Sequence, residues 1–202
     1  LLLGIAWAWL TCLSANAEVK LPAFFSDGMV MQQQTRANLW GTATPNAPVK
    51  ITTSWDKQTY KTTADAKGAW KLALSTPSAG GPYTITFDDG KLTEIRDILM
   101  GELWLCSGQS NMEMPMKGFK NQPVENSNTD VMNSRNPQLR LFTVKRSSSF
   151  TPKTDVVGTW QEAVPATVRE FSATAYYFGR MIQQQSVSYT HLRAHETGAY
   201  LV

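Results

Sequence analysis

A serine that could act as a nucleophile follows a short apolar run near the middle of the chain. The run covers residues 103–106, and Gly108, Gln109, Ser110 and Asn111 come after it. A serine hydroxyl attacks a carbonyl carbon when a base takes its proton and nearby N–H groups stabilise the oxyanion. Gly108 would let the chain turn sharply without a Cβ, and a strand end would lift Ser110 to the rim of a sheet. A helix start there would aim N–H groups at the developing charge, so the spacing predicts a hydrolase nucleophile at Ser110.

The same residues also fit an ordinary turn from a strand into a loop. In that interpretation Ser110 and Asn111 make only local hydrogen bonds. The Gly-x-Ser-x-Gly elbow of many hydrolases is not present, because Met112 occupies the position of its second glycine. Residue types alone leave both interpretations open.

The base that a serine nucleophile needs, usually histidine, has few candidates in this chain. The only two histidines are His191 and His195, within residues 186–202. This stretch continues the preceding helical period poorly, offers no buried strand and resembles translated sequencing-adapter read-through, so we expect a non-native tail. The two histidines could meet on a helix face as metal ligands, with a carboxylate such as Glu196 as a third ligand. We expect neither a metal site nor the catalytic base here, so the chain would carry its nucleophile without its base.

A longer block around the serine resembles a known family. Residues 101–115 closely resemble the nucleophile block of sialate O-acetylesterase-like proteins, which belong to the SGNH hydrolase superfamily. Residues 21–32 resemble the mature N-terminus of that family, and residues 171–180 resemble the helix that follows its nucleophile region. The resemblance covers about residues 19–185 and implies an α/β/α (flavodoxin-like) catalytic domain beside a β-sandwich.

The resemblance also implies a reaction, the deacetylation of O-acetylated sugars such as sialic acids without a metal or cofactor. Ser110 would form an acetyl-enzyme that water hydrolyses, and its backbone N–H would be one oxyanion donor, supported by Gly108, Gln109 and Asn111. The family's catalytic Asp and His, and its glycine and asparagine oxyanion donors, come from later blocks that match nothing in this sequence. We therefore expect a truncated chain that is inactive alone. A xylan acetylesterase of the same superfamily is an alternative.

The first part of the chain, residues 18–97, has the pattern of short strands and turns. Segments 49–55, 58–63, 69–74 and 82–87 alternate apolar and polar residues or are bounded by turn residues. Such even spacing predicts an antiparallel β-sandwich. Its tryptophans, Trp40, Trp55 and Trp70, either fill the core, which we favour, or form stacking platforms for sugars. The second possibility gives the alternative function of an exported sugar-binding β-sandwich protein without catalysis.

The second part, residues 98–185, alternates strands and helices. Residues 98–100 and 103–106 are continuous apolar runs, typical of a strand covered on both faces. A short helix from residue 128 or 129 to 135, a strand over 139–144, a surface segment over 145–158 and a helix with Phe171, Ala175, Phe178 and Ile182 on one face follow. Ser172 lies near the cap of that helix. This order predicts the start of a doubly wound α/β domain, whose unfinished sheet should expose apolar surface.

Composition and the first residues indicate where the protein works. A net charge of +3 over 202 residues argues against nucleic acid as a partner. Residues 1–17 are apolar or small, end in Ala15-Asn16-Ala17 and predict a signal peptide with a truncated start. The mature protein would be periplasmic or extracellular, with no membrane contact after cleavage and an O-acetylated carbohydrate as its partner. Cys106 would then be its only thiol, which excludes an intramolecular disulfide and a cysteine metal site.

Overall fold

The computed structural model describes residues 18–185 and the backbone of residues 190–196. The predicted signal peptide, residues 1–17, lies outside the described residues. The strands are β1 (Val30–Gln32), β2 (Arg36–Thr42), β3 (Pro48–Thr53), β4 (Thr59–Thr63), β5 (Ala69–Ser75), β6 (Gly80–Asp88), β7 (Leu92–Gly108), β8 (Asn136–Val144), β9 (Trp160–Ala163) and β10 (Thr190–Glu196). The helices are α1 (Ser110–Glu113), α2 (Ser127–Met132), α3 (Pro165–Glu170) and α4 (Ala173–Gln185).

Most strands belong to one mixed sheet, so the fold is a mixed α/β structure with a curled sheet. Its strand order is β4-β3-β6-β7-β10-β8-β9, and β1 pairs with β7 outside this path. Strands β7, β10 and β8 run parallel, whereas β3, β4, β6 and the first half of β7 are antiparallel to their neighbours. A separate antiparallel pair, β2 and β5, contributes to the same apolar core.

The strands predicted in the first part are confirmed. Strand β3 alternates exposed and buried residues along its whole length, which is the pattern of a half-buried strand. Among the tryptophans, Trp70 is buried, as the core interpretation requires. Trp55 packs edge-on against Tyr83 with ring centroids 5.8 Å apart, whereas Trp40 keeps 38% of its surface exposed.

Strand β7 is continuous across the predicted boundary between residues 97 and 98. Phe142, Val144 and Trp160, which follow this boundary in sequence, belong to the same apolar cluster as the first part. The division into domains stays a prediction, because one strand and one core join the two parts.

The second half of β7 differs from expectation. Trp104 and Leu105 are 40% and 62% exposed, so the prediction that residues 103–106 are covered on both faces is wrong. The described residues cover this half incompletely: Phe178 of α4 meets Trp104 edge-on at 5.2 Å and is itself exposed. The expected exposure of apolar surface in this part is confirmed.

The backbone of the tail also differs from expectation. Residues 190–196 form β10, which pairs in parallel with β7 on one side and β8 on the other. The sequence pattern offered no buried strand in residues 186–202, but a parallel strand after α4 does fill the position between β7 and β8. That this stretch is not native to the protein stays a prediction.

The long helix of the second part and its cap are confirmed. Helix α4 covers residues 173–185, and Ser172 Oγ accepts a hydrogen bond from the Ala175 N–H at 3.3 Å. A second apolar cluster, which includes Leu139, Val168 and Tyr176, packs beneath it. The short elements β9 and α3 have no counterpart among the predicted elements. Among the described residues, no helix is long and apolar enough to cross a membrane.

Candidate active site

Ser110 lies at the carboxyl edge of the parallel strands. Strand β7 ends at Gly108, and Ser110 begins the one-turn helix α1. In the sheet register, Ser107 is opposite His195 of β10, which is in turn opposite Val144 at the end of β8. The carboxyl ends of β7, β10 and β8 therefore meet where Ser110 leaves the sheet, the edge at which α/β proteins bind ligands.

The turn into α1 needs a small residue at position 108. A Cβ on Gly108 would lie 3.1 Å from the Cβ of Met112, which is tighter than ordinary van der Waals contact. The Gln109 carbonyl accepts hydrogen bonds from the N–H groups of Met112 and Glu113 at 2.9 and 3.0 Å. The Ser110 carbonyl accepts one from the Met114 N–H at 3.1 Å, so backbone hydrogen bonds close the turn.

The Ser110 side chain is exposed, as are those of Gln109 and Asn111. Within residues 18–185, no hydrogen bond engages the Ser110 hydroxyl or its backbone N–H. The hydroxyl can thus meet a substrate from solvent, and the N–H can donate to an oxygen of that substrate. The local hydrogen bonds that the ordinary-turn interpretation assigns to the Ser110 hydroxyl do not form among these residues.

Residues just before α4 hold the segment that follows Ser110. The N–H groups of Met116 and Lys117 donate to the carbonyls of Phe171 and Arg169 at 2.9 and 3.0 Å, and the Ala173 N–H donates to the Met114 carbonyl at 2.8 Å. These bonds form a short antiparallel ladder, which we call the clamp: residues 114–117 paired with residues 169–173. The clamp fixes the exit of the Ser110 turn against the start of α4.

Two hydroxyl groups add to the clamp. Thr174 Oγ1 donates to the Asn111 carbonyl at 3.0 Å, and Ser172 Oγ donates to Met112 Sδ at 3.3 Å. Sequence reasoning identified Ser172 only as a helix cap and did not identify Thr174. The Thr174 contact joins residues 63 positions apart, and no local pattern in the sequence signals it.

Two titratable side chains near the turn, Glu113 and Cys106, differ in their surroundings. Glu113, three residues after Ser110, contacts the guanidinium of Arg146 from the segment after β8. Cys106 is half-buried, and burial raises the pKa of its thiol, which keeps it protonated near neutral pH and a poor nucleophile. Ser110 is therefore the better candidate for a nucleophile at this edge.

Residues 18–185 supply no histidine base, and the described residues form no metal cluster. Residues 18–185 contain no histidine. His191 and His195 are in β10, where a spacing of four residues extends about 13 Å along the strand. The helix-face pairing considered for a metal site therefore does not form. Among the described residues, no three His, Cys, Asp or Glu side chains lie close enough to hold a metal ion.

The chain is similar to known sialate O-acetylesterases. It is 28% identical to those of Homo sapiens and Pongo abelii over 185 residues and to that of Mus musculus over 187 residues. These alignments cover 83–84% of this chain and 34–35% of each relative, so the chain spans about a third of their length. No family model matches the chain.

A solved structure agrees with these relatives. The fold is similar to that of a carbohydrate acetylesterase from Xanthomonas citri, with a TM-score of 0.82 and 31% sequence identity. The match covers 91% of this chain and 41% of that chain. The resemblance to sialate O-acetylesterase-like proteins inferred from residues 101–115 is confirmed.

Proposed function

We propose that this chain carries the nucleophile of a carbohydrate O-acetylesterase that acts on sialate-type substrates. The observation that supports this most directly is the exposed Ser110 hydroxyl at the carboxyl edge of parallel strands. The similarity to sialate O-acetylesterases and to a carbohydrate acetylesterase supports the substrate class. Because the chain spans about a third of those relatives, the activity belongs to a longer protein in this proposal.

The chemistry begins with attack of Ser110 Oγ on the acetyl carbonyl carbon. A base takes the hydroxyl proton as the new C–O bond forms, and the oxyanion accepts a hydrogen bond from the Ser110 backbone N–H. The bond between carbonyl carbon and sugar oxygen then breaks, and the sugar leaves with a proton as an alcohol. Water attacks the acetyl-enzyme in the same way, which releases acetate and restores the serine hydroxyl.

The rest of the machinery lies outside residues 18–185 in this proposal. These residues provide a nucleophile and one N–H donor, whereas the catalytic Asp and His and the other oxyanion donors would come from a further part of the protein. The loss of one oxyanion donor costs about 10²–10³ in rate. The loss of a histidine base costs on the order of 10⁶. We therefore propose that the 202-residue chain is inactive alone.

Two finer features complete the proposal. The parallel strands β7, β10 and β8 with α4 would be the start of an SGNH-type α/β/α domain, beside a β-sandwich built from the earlier strands. The apolar residues 1–17, with Ala15 and Ala17 before Glu18, support export to the periplasm or the extracellular space.

The nucleophile assignment is tested in a full-length protein that contains this chain, with 4-nitrophenyl acetate and with O-acetylated sialic acid. The Ser110→Ala variant should lose hydrolysis of both esters, whereas Ser107→Ala, a matched change at another exposed serine, should keep it. An organophosphonate should label Ser110, as detected by mass spectrometry of the peptide. Retained activity in Ser110→Ala would overturn the assignment.

The proposed inactivity of the chain has its own test. The 202-residue protein should hydrolyse 4-nitrophenyl acetate at the rate of the Ser110→Ala variant. Turnover well above that of the variant would show that the 202-residue chain needs no base from a further part of the protein. Acetylated xylan serves as the comparison substrate, and faster release of acetate from it than from O-acetylated sialic acid would replace the sialate assignment.

A further inference from the structure

A groove of about 340 Å³ opens far from Ser110 in sequence, along the edge of β2. One wall is the segment of residues 20–22, which is held to β2 by two backbone hydrogen bonds between Lys20 and Thr42 at 2.8 and 2.9 Å. The other wall contains Thr154 and Asp155 of the surface segment after β8. The groove therefore joins three separate parts of the chain.

Trp40 provides an aromatic surface in this groove. Its ring meets Phe25 edge-on at 4.6 Å, and its Nε1 donates a hydrogen bond to the Thr154 carbonyl at 3.4 Å. Trp40 nevertheless keeps 38% of its surface exposed, whereas Trp70 is buried and the Nε1 of Trp55 is bonded to the Ser75 carbonyl. An indole held in place and partly open to solvent suits stacking against the apolar face of a ligand.

The polar groups of the groove include an orphaned donor and a fixed acceptor. Trp70 is 4% exposed and lines the groove, and its Nε1 has no hydrogen-bond partner among the described residues. Asp155 Oδ1 accepts hydrogen bonds from the N–H groups of Ala23 and Val156 at 2.8 and 2.7 Å, which orients its exposed carboxylate. The Lys20 side chain forms no ion pair within residues 18–185.

The space itself depends on a glycine. A Cβ on Gly41 would lie 2.5 Å from the Lys20 carbonyl oxygen and 2.9 Å from Trp70 Cζ2. Any other residue would push the wall of residues 20–22 away from β2. The close approach of this wall keeps Trp70, the Trp40 ring and Asp155 around one cavity.

We propose that this groove is an accessory carbohydrate-binding site. A sugar ring has one face of C–H groups, which fits Trp40, and a rim of hydroxyl groups that both donate and accept hydrogen bonds. Those hydroxyls fit the exposed Asp155 carboxylate and the Lys20 ammonium. The choice of a glycan as ligand rests on the proposed function, because the ester substrate would be part of the same glycan.

One surface segment connects the groove to the candidate active site. Arg146 contacts Glu113 beside Ser110, and Asp155 lines the groove nine residues later. Nine residues extend at most about 30 Å, a distance that an oligosaccharide can bridge. A glycan held at Trp40 would therefore keep its acetyl groups near Ser110.

The experiment measures binding of sialyllactose and of xylohexaose to the Ser110→Ala form of the full chain, by calorimetry and by NMR. We expect millimolar or tighter binding of at least one sugar, lost at least tenfold in Trp40→Leu. Trp104→Leu is the matched control, because Trp104 is 40% exposed but outside the groove, and it should bind as before. Asp155→Asn, which keeps the size of the side chain, should weaken binding several-fold even if Trp40→Leu folds poorly.

The outcomes separate this inference from the proposed function. The accessory site would be overturned if neither sugar, at a concentration of about 10 mM, shifted the NMR signals of the protein. Equal losses of binding in Trp40→Leu and Trp104→Leu would also overturn it. Ser110-dependent hydrolysis with no sugar bound at the groove would remove only this inference. Binding at Trp40 in a protein whose ester hydrolysis ignores Ser110→Ala would remove only the nucleophile assignment.

Discussion

Strand β7 passes through two different environments along its 17 residues. In its first half, Ile98 and Met100 are fully buried among residues of β1, β3, β5 and β6. In its second half, Trp104 and Leu105 remain 40% and 62% exposed, although this half ends at the candidate nucleophile. The first half is buried in the first apolar cluster, whereas the region after the second half combines the hydrogen bonds of the clamp with the second apolar cluster, which includes Met116 and Phe171. The more completely buried end and the end that leads to the candidate nucleophile are therefore opposite ends of one strand.

The largest expected effect compares two truncations on this same strand. Ile98→Ala should lower the free energy of unfolding by about 2–5 kcal/mol, because it leaves a cavity in a fully buried position. Leu105→Ala removes as many carbons from an exposed position and should change the unfolding free energy by less than about 0.5 kcal/mol. Urea unfolding of both variants measures the difference. Equal losses would show that the second half of β7 is as well covered as the first.

The next effect concerns the ion pair at the junction of the two halves. Arg140 of β8 is 5% exposed in its side chain and donates to both Asp97 carboxylate oxygens, at 2.5 and 3.1 Å. Asp97→Asn leaves a buried guanidinium without that charge and should cost about 1.5–3 kcal/mol of unfolding free energy. Glu94→Gln is the control: its pair with Arg96 has the same 2.5 Å distance, but the Arg96 side chain is 73% exposed. That control should cost at most about 1 kcal/mol. Equal losses of unfolding free energy in the two variants would mean that the Arg140–Asp97 pair contributes no more than an exposed ion pair.

The sequence predicts the features that depend on neighbouring residues, and it does not predict those that depend on residues far apart in the chain. Alternation in β3 and the cap of α4 at Ser172 are local, and both were predictable. The exposure of Leu105 was not, because an apolar run does not specify which layers cover it. Ser110 was predictable as the residue at a strand end. Its contacts through Thr174 and Arg146 depend on residues that are distant in sequence.

The clamp gives a smaller effect that acts on the exposed half. Thr174→Val keeps the shape of the side chain but removes the hydrogen bond to the Asn111 carbonyl, which should cost about 0.5–1.5 kcal/mol. Amide hydrogen exchange of residues 112–114 should speed up, while the amides of β3 and β6 should be unchanged. In a full-length protein with the proposed esterase activity, kcat for ester hydrolysis should fall several-fold with little change in KM.

Thr174→Ser is the matched control for this prediction. It keeps the hydroxyl and should restore both the exchange protection and the kcat. If the serine and valine variants behave alike, the hydroxyl does not position the Ser110 turn. If both variants also destabilise β3 and β6, the two ends of β7 are not independent in the way described above.

The smallest expected effect is on the acid stability of helices α2 and α4, the second of which contacts the exposed half of β7, and it depends on Asp130 of α2. The Arg180 hydrogen bond at 2.7 Å lowers the pKa of Asp130, and the Tyr177 hydroxyl, also at 2.7 Å, acts in the same direction. A carboxyl with a lower pKa in the folded state stabilises the fold fully above its unfolded pKa of about 3.9 and loses that contribution as the pH falls through the folded pKa. Asp130 joins α2 to α4, so the protection factors of the amides in these helices, which correct exchange rates for the intrinsic effect of pH, should fall below about pH 4. Asp130→Asn should remove this pH dependence and cost about 0.2–1 kcal/mol at pH 7. Unchanged pH dependence in that variant would show that other groups control the acid response of this half.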